Sequence, residues 1–121
     1  MSNIMSQQIS IDTVGSAGAA AGTGYFTGIS GFLLDIFLNY HASCPNTADV
    51  TITDPVFGTV FTKANSTTDA WYAPRKQSSD QAAADSGLYD LIPVNETLTV
   101  AVAQADALTA CLVATIRWIT P

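Results

Sequence analysis

Cationic side chains are nearly absent from this chain. Lys63, Arg75, Lys76 and Arg117 are the only fixed cations in 121 residues, and the formal net charge is −6. Binding to nucleic acid depends on Lys and Arg neutralising phosphates. Four scattered cations build no basic groove, so direct nucleic-acid binding is excluded. Docking on an anionic membrane through a basic cluster is excluded on the same ground. Histidine is reduced to His41, which removes multi-histidine metal sites and reads most simply as a strand-end residue near water. Cys44 and Cys111 stand too far apart in sequence for a Cys-based zinc site. No cofactor and no metal are expected.

Long apolar runs are missing too. The longest, residues 32–38, is interrupted by Asp35 and falls short of the roughly 18 to 20 residues of a membrane-spanning helix. The opening residues MSNIMSQQIS lack the basic and apolar regions of a signal peptide, which predicts folding in a cytoplasm. In that reducing setting the two cysteines are expected as thiols, with Cys111 a small buried hydrophobe in an apolar strand. A Cys44–Cys111 disulfide needs Cα atoms within about 7 Å.

Catalytic constellations are equally scarce. Catalysis needs a nucleophile with its base, a pair of carboxylates or a metal cluster. Gly28-Ile29-Ser30-Gly31 is one residue short of a nucleophile elbow and leads into a strand. Residues 14–24, VGSAGAAAGTG, contain neither GxxxxGK[ST] nor GxGxxG at a strand-to-helix turn, so they cradle no phosphate. The acids Asp12, Asp35, Asp49, Asp54, Asp69, Asp80, Asp85, Asp90, Glu96 and Asp106 are spread singly. Asp80 and Asp85 share a loop, and a solvated loop is the plainer reading than a cation site. The chain is expected not to be an enzyme.

What the sequence does contain is alternation. In residues 31–41, Phe32, Leu34, Ile36, Leu38 and Tyr40 fall on one face of a strand, and Leu33, Asp35, Phe37, Asn39 and His41 on the other. Val50 and Ile52 alternate with Thr51 and Thr53. The Pro-Val-Phe-Gly at 55–58 then turns the chain back as a hairpin through residues 59–63. Residues 70–75 are extended, because Pro74 disfavours helix before it. Residues 76–87 read as a long loop, or as one helical turn over 80–85. Leu98, Val100 and Val102 mark another strand, and Leu112, Ala114, Ile116 and Trp118 the last. The Gly/Ala-rich residues 14–24 read as an extended or looped segment approached closely by other chain, since four glycines would each cost a helix about 1 kcal/mol.

These signals predict an all-β fold, an antiparallel β-sandwich or jelly-roll-like barrel of about seven or eight strands. Residues 1–8 are expected as a flexible N-terminal arm and residues 9–121 as a single β-sandwich domain. The expected core is Phe32, Leu34, Ile36, Leu38, Tyr40, Val50, Ile52, Val60, Leu98, Val100, Val102, Leu112, Ala114, Ile116 and Trp118.

The strand FLLDIFLNY, the hairpin DVTITDPVFGTVFTKAN, the WYAPR segment, the long loop after it and IPVNETLTVAVAQAD come in a characteristic order between Gly31 and Gln104. That order resembles a family of small virion structural proteins encoded near the major capsid gene of tailed bacteriophages. The resemblance implies a β-sandwich that binds the outer capsid surface as a cement or decoration protein, assembled in the host cytoplasm. The implied partners are the major capsid protein and further copies of the chain, as a dimer or trimer. No catalytic residue comes with it. Trp71, Tyr72, Arg75, Lys76, Ile4 and Gln7 are the candidate partner contacts, because aromatic and Arg residues anchor interfaces and a terminal arm can augment a neighbouring sheet. For Trp71 and Tyr72 the plainer reading is packing within the sheet. The alternatives are a head-to-tail neck or connector component, or a carbohydrate- or receptor-binding module with Trp71, Tyr72 and Tyr89 as a stacking platform.

Overall fold

The computed structural model describes residues 3–79 and 85–120. Among them are nine strands and no helix: β1 (Asn3–Ile11), β2 (Ala20–Tyr40), β3 (Asp49–Asp54), β4 (Gly58–Lys63), β5 (Ala70–Tyr72), β6 (Lys76–Ser79), β7 (Asp85–Asp90), β8 (Ile92–Ala105) and β9 (Leu112–Thr120). Seven of them form one antiparallel sheet in the order β1-β9-β2-β8-β3-β4, with β5 added along β2. This is the all-β, antiparallel sandwich that the alternation predicts. β6 and β7 form a separate hairpin.

β2 organises the sheet. At 21 residues it is much longer than the usual strand of about 3–10. From Ala20 to Leu33 it pairs with β8, and from Phe32 to Tyr40 with β9. Where β8 stops, β5 takes the vacated side at Ile36–Leu38. One strand therefore serves both halves of the sheet, and both halves bury side chains in one core cluster.

Two bulges let β2 change direction. Thr27 and Gly28 together face one residue of β8, and Leu34 is an extra residue opposite β9. Each insertion moves the inward face by one position. The buried residues of β2 accordingly run Ala20 and Phe26, then Ile29 and Leu33, then Ile36, Leu38 and Tyr40. This corrects the face assignment made from strict alternation. Phe32 is 43% exposed and Leu34 is only half-buried, whereas Leu33 is fully buried. The other thirteen expected core residues are buried, joined by Ile11, Phe26, Ile29 and Ile92, which the expected core left out.

The expected arm is a strand. Asn3 to Ile11 pair with Thr120 to Leu112 in unbroken register. Met1 and Ser2 lie outside the described residues. The polar sequence concealed the strand because β1 is an edge whose residues are mostly exposed. Its own Gln7 ties it to the first bulge: Nε2 donates to the Thr27 carbonyl at 2.9 Å and Oε1 accepts from the Thr27 N–H at 3.0 Å. The close approach expected at residues 14–24 is found at Gly22, where a Cβ would lie 2.1 Å from the Asp12 carbonyl oxygen.

The loop expected over 76–87 is instead largely the β6–β7 hairpin, with Lys76 opposite Asp90 and Gln77 opposite Tyr89. Of the expected helical turn, residues 80–84 lie outside the described residues and Asp85 belongs to β7.

Gly31 and Gly28 make a paired test of this geometry. Gly31 has φ +139°, and a Cβ there would sit 2.0 Å from the Ile119 carbonyl oxygen. Gly28 has φ +68°, with open space around it. Gly31→Ala is expected to lose more than about 3 kcal/mol of unfolding free energy in urea, and Gly28→Ala about 1 kcal/mol. Equal losses would contradict the close β2–β9 approach.

The core also makes an alkaline prediction. Burial, and then the hydrogen bond with Cys111, push the Cys44 thiol from 9.0 up to about 12. Burial likewise raises the Tyr40 phenol. The unfolded chain releases these protons before the folded one does, so stability falls as pH rises. For Cys44 the contribution is intact below the unfolded value of 9.0 and is lost through about 12. The melting temperature should decline across that window, and less steeply in Cys44→Ala.

Candidate interaction surface

Directly opposed residues of antiparallel neighbours share a face, so the register places three rows on the outer side of the sheet. Gln8, Thr115, Phe37 and Trp71 form one across β1, β9, β2 and β5. Ser6, Arg117 and Asp35 form the next. Ile4, Ile119, Phe32 and Pro93 form the third, reaching β8. The bulge at Leu34 puts Phe32 in this third row, because it turns outward a side chain that strict alternation would bury.

Trp71 is the anchor of the first row. It is half exposed, its ring centroid lies 5.0 Å from that of Phe37, and the Arg117 guanidinium carbon lies 4.7 Å from its own ring centre. Arg117 is held in turn by Asp35 through both carboxylate oxygens, with Nε donating to Oδ1 at 2.7 Å. That hydrogen bonding raises the guanidinium pKa further. At the edge of the patch, Gln8 Nε2 donates to Thr115 Oγ1 at 3.2 Å. The cation–π contact and the ion pair share the one Arg117 guanidinium. Their main effect is to hold an exposed indole in one orientation.

The six candidate residues separate into distinct roles. Trp71 and Ile4, the latter 64% exposed, lie on this face. Lys76 joins it, lining with Phe32, Asp90, Leu91 and Pro93 a groove of about 420 Å³. Tyr72, next along β5, packs the other way, at 4.9 Å on Phe61 with the Lys63 ammonium 5.8 Å from its ring centre. Trp71 and Tyr72 therefore form no common platform. Tyr89 is exposed on β7. Arg75 Nη1 donates to the carbonyls of Leu34 at 2.9 Å and Pro74 at 2.8 Å, and so satisfies the bulge. Gln7 is committed to Thr27.

Sequence reasoning missed Arg117, Asp35, Phe37 and Phe32. The signal for the first three was a polar or mixed strand face. What joins them is register between strands far apart in sequence, which alternation within a strand does not contain.

Beyond Pro93 a second groove, of about 440 Å³, is lined by Asp54, Val56, Phe57, Val94 and Asn95. Asp54 is buried there and caps the β3–β4 turn, accepting from the N–H groups of Val56 at 2.9 Å and Phe57 at 2.7 Å. His41 Nδ1 accepts from the Ser43 N–H at 2.9 Å. Among the described residues no group of three or more His, Cys, Asp or Glu is placed to hold a metal ion.

No protein-family model and no curated protein matches the sequence. Among solved structures the chain is similar to PliG of Aeromonas hydrophila, a periplasmic lysozyme inhibitor of g-type lysozyme. Identity is 8%, the TM-score is 0.41, and the match covers 98% of this chain and 86% of that one. It is also similar to the virus-like particle of the extra small virus of the giant freshwater prawn Macrobrachium rosenbergii. Here identity is 14%, the TM-score is 0.37, and the match covers 98% of this chain and 78% of that one. At these TM-scores neither protein's function carries over to this chain.

The two tryptophans test the placement of the surface. Trp71→Ala is expected to lower unfolding free energy by about 1 kcal/mol, and Trp118→Ala, at a buried position, by about 3–5 kcal/mol. Urea titration of the two variants measures the difference, and a large loss at Trp71 would make it a core residue.

Proposed function

We propose that the chain is a non-enzymatic virion structural protein that binds the outer surface of a capsid and stabilises the shell. The observation that carries this reading is the outward face: an indole held by Phe37 and Arg117, beside the apolar row of Ile4, Ile119, Phe32 and Pro93. Interface anchors are enriched in Trp, Tyr and Arg, and holding an anchor still before binding lowers the entropic cost of association. The resemblance in strand order between Gly31 and Gln104 supplies the class of partner, the major capsid protein. Ile4, Trp71 and Lys76 contact it directly. Gln7, Tyr72 and Arg75 act from behind by holding β1, the core edge and the bulge.

A symmetric homo-oligomer, a dimer or trimer, presents this face repeatedly. Binding the assembled shell and not its free subunits stabilises the shell by mass action. Particles lacking the protein should break at lower temperature and in milder osmotic shock than complete ones. Adding back the purified chain should restore them, and Trp71→Ala should bind with roughly tenfold or greater loss of affinity. Equal survival of particles with and without the protein would end the reading. A copy number of about a dozen or fewer would move it to the neck.

The half-exposed Trp71 beside Arg117 also suits stacking on a sugar ring. Glycan binding by the isolated chain, lost in Trp71→Ala and accompanied by no capsid binding, would replace the shell reading with a receptor-binding one.

A further inference from the structure

We propose that Cys44 and Cys111 are a disulfide-forming site, which a small disulfide oxidant converts into a cross-link between the turn after β2 and the start of β9. The two cysteines are free, both are buried, and their sulfurs are 3.6 Å apart across 67 positions of sequence. The backbone holds them there. The His41 N–H donates to the Cys111 carbonyl at 2.9 Å, and the Cys44 N–H donates to the His41 carbonyl at 2.9 Å. The turn that carries one sulfur is thus hydrogen-bonded to the residue that carries the other. A disulfide bond is about 2.05 Å long, so the sulfurs need to close by only about 1.5 Å.

Cys44 is the more accessible partner, at 9% exposure against none for Cys111. Its thiol loses a proton and the thiolate attacks one sulfur of the oxidant, giving a mixed disulfide and releasing one small thiolate. Cys111 then loses its proton and attacks the Cys44 sulfur, releasing the second. Two protein thiols and one small disulfide become one protein disulfide and two small thiols. Burial raises the Cys44 thiol, so the first step is slow at neutral pH and accelerates as pH rises. The site does not depend on the capsid reading, because it reacts in the purified chain whatever that chain binds. If the capsid reading also holds, the cross-link forms after particles leave a reducing host cytoplasm.

The test uses the reduced full chain, incubated with oxidised glutathione at about pH 8. Expected are a mass loss of about 2 Da, loss of maleimide labelling in denaturant, and faster migration of the monomer on a non-reducing gel. The melting temperature should rise by roughly 10 °C, and dithiothreitol should reverse every change. Cys111→Ala should keep one glutathione on Cys44, whereas Cys44→Ala should leave Cys111 unmodified. Thiols that stay free, a glutathione adduct that persists in the unaltered chain, or a covalent dimer would each overturn the proposal. So would a cross-link that forms without raising the melting temperature, since the sulfurs would then meet only in a non-native chain.

Discussion

Backbone hydrogen bonding on both sides of β2 is the constraint from which the rest of the structure follows. Buried backbone N–H and C=O groups need partners, and β2 draws them from three different strands. β8 serves its first part, β9 its last, and β5 fills the side that β8 leaves. Because one continuous strand belongs to both halves, the halves cannot slide past one another without breaking that ladder. Arg75 extends the same logic to the bulge, where its guanidinium takes up the carbonyl of the extra residue. The Gln7 amide does so at the other bulge, offering Thr27 the donor and acceptor that a neighbouring strand would have supplied.

The outer surface follows from this arrangement. An insertion in a two-residue repeat reverses every side chain beyond it, so a single extra leucine decides which aromatic faces out. Were Leu34 paired in regular register and not bulged, Phe32 would be buried and Leu33 exposed, and the third row would end at Ile119. The patch around Trp71 has a similar origin: β5 is only three residues long, and its place beside Phe37 exists because β8 begins where it does.

Much of this was legible in the sequence. The period of two in residues 31–41, 98–102 and 112–118 is legible because a continuously apolar face alternates with a mixed one there, and it led to the fold class and most of the core. Bulges were not legible, because Leu34 looks like any other apolar residue and only its lack of a β9 partner marks it. Nor was the first part of β1: Ile9 and Ile11 alternate with Ser10 and Asp12 as a strand does, but the exposed, mostly polar residues before them owe their order to β9 and to Thr27. Candidate contacts were found by residue type and by place in the expected arm or loop, which picked out Trp71 and also picked out Arg75 and Gln7, whose polar groups bind backbone. Arg117 was passed over because its neighbour in the patch, Trp71, is brought to it by strand pairing.

The β1–β9 ladder sets an order of events in folding. Asn3 pairs with Thr120 and Ile11 with Leu112, so β1 has no partner in this sheet until β9 has been synthesised. The β3–β4 hairpin closes locally and can form early, but the loop between β1 and β9 takes in every other strand and carries the entropy of closing it. Until then β1 and the outer edge of β2 present unsatisfied strand edges, the kind of surface on which nascent chains associate. The polar residues of β1 then have a use before the fold is complete: they keep a strand that must wait in solution from pairing with the wrong neighbour.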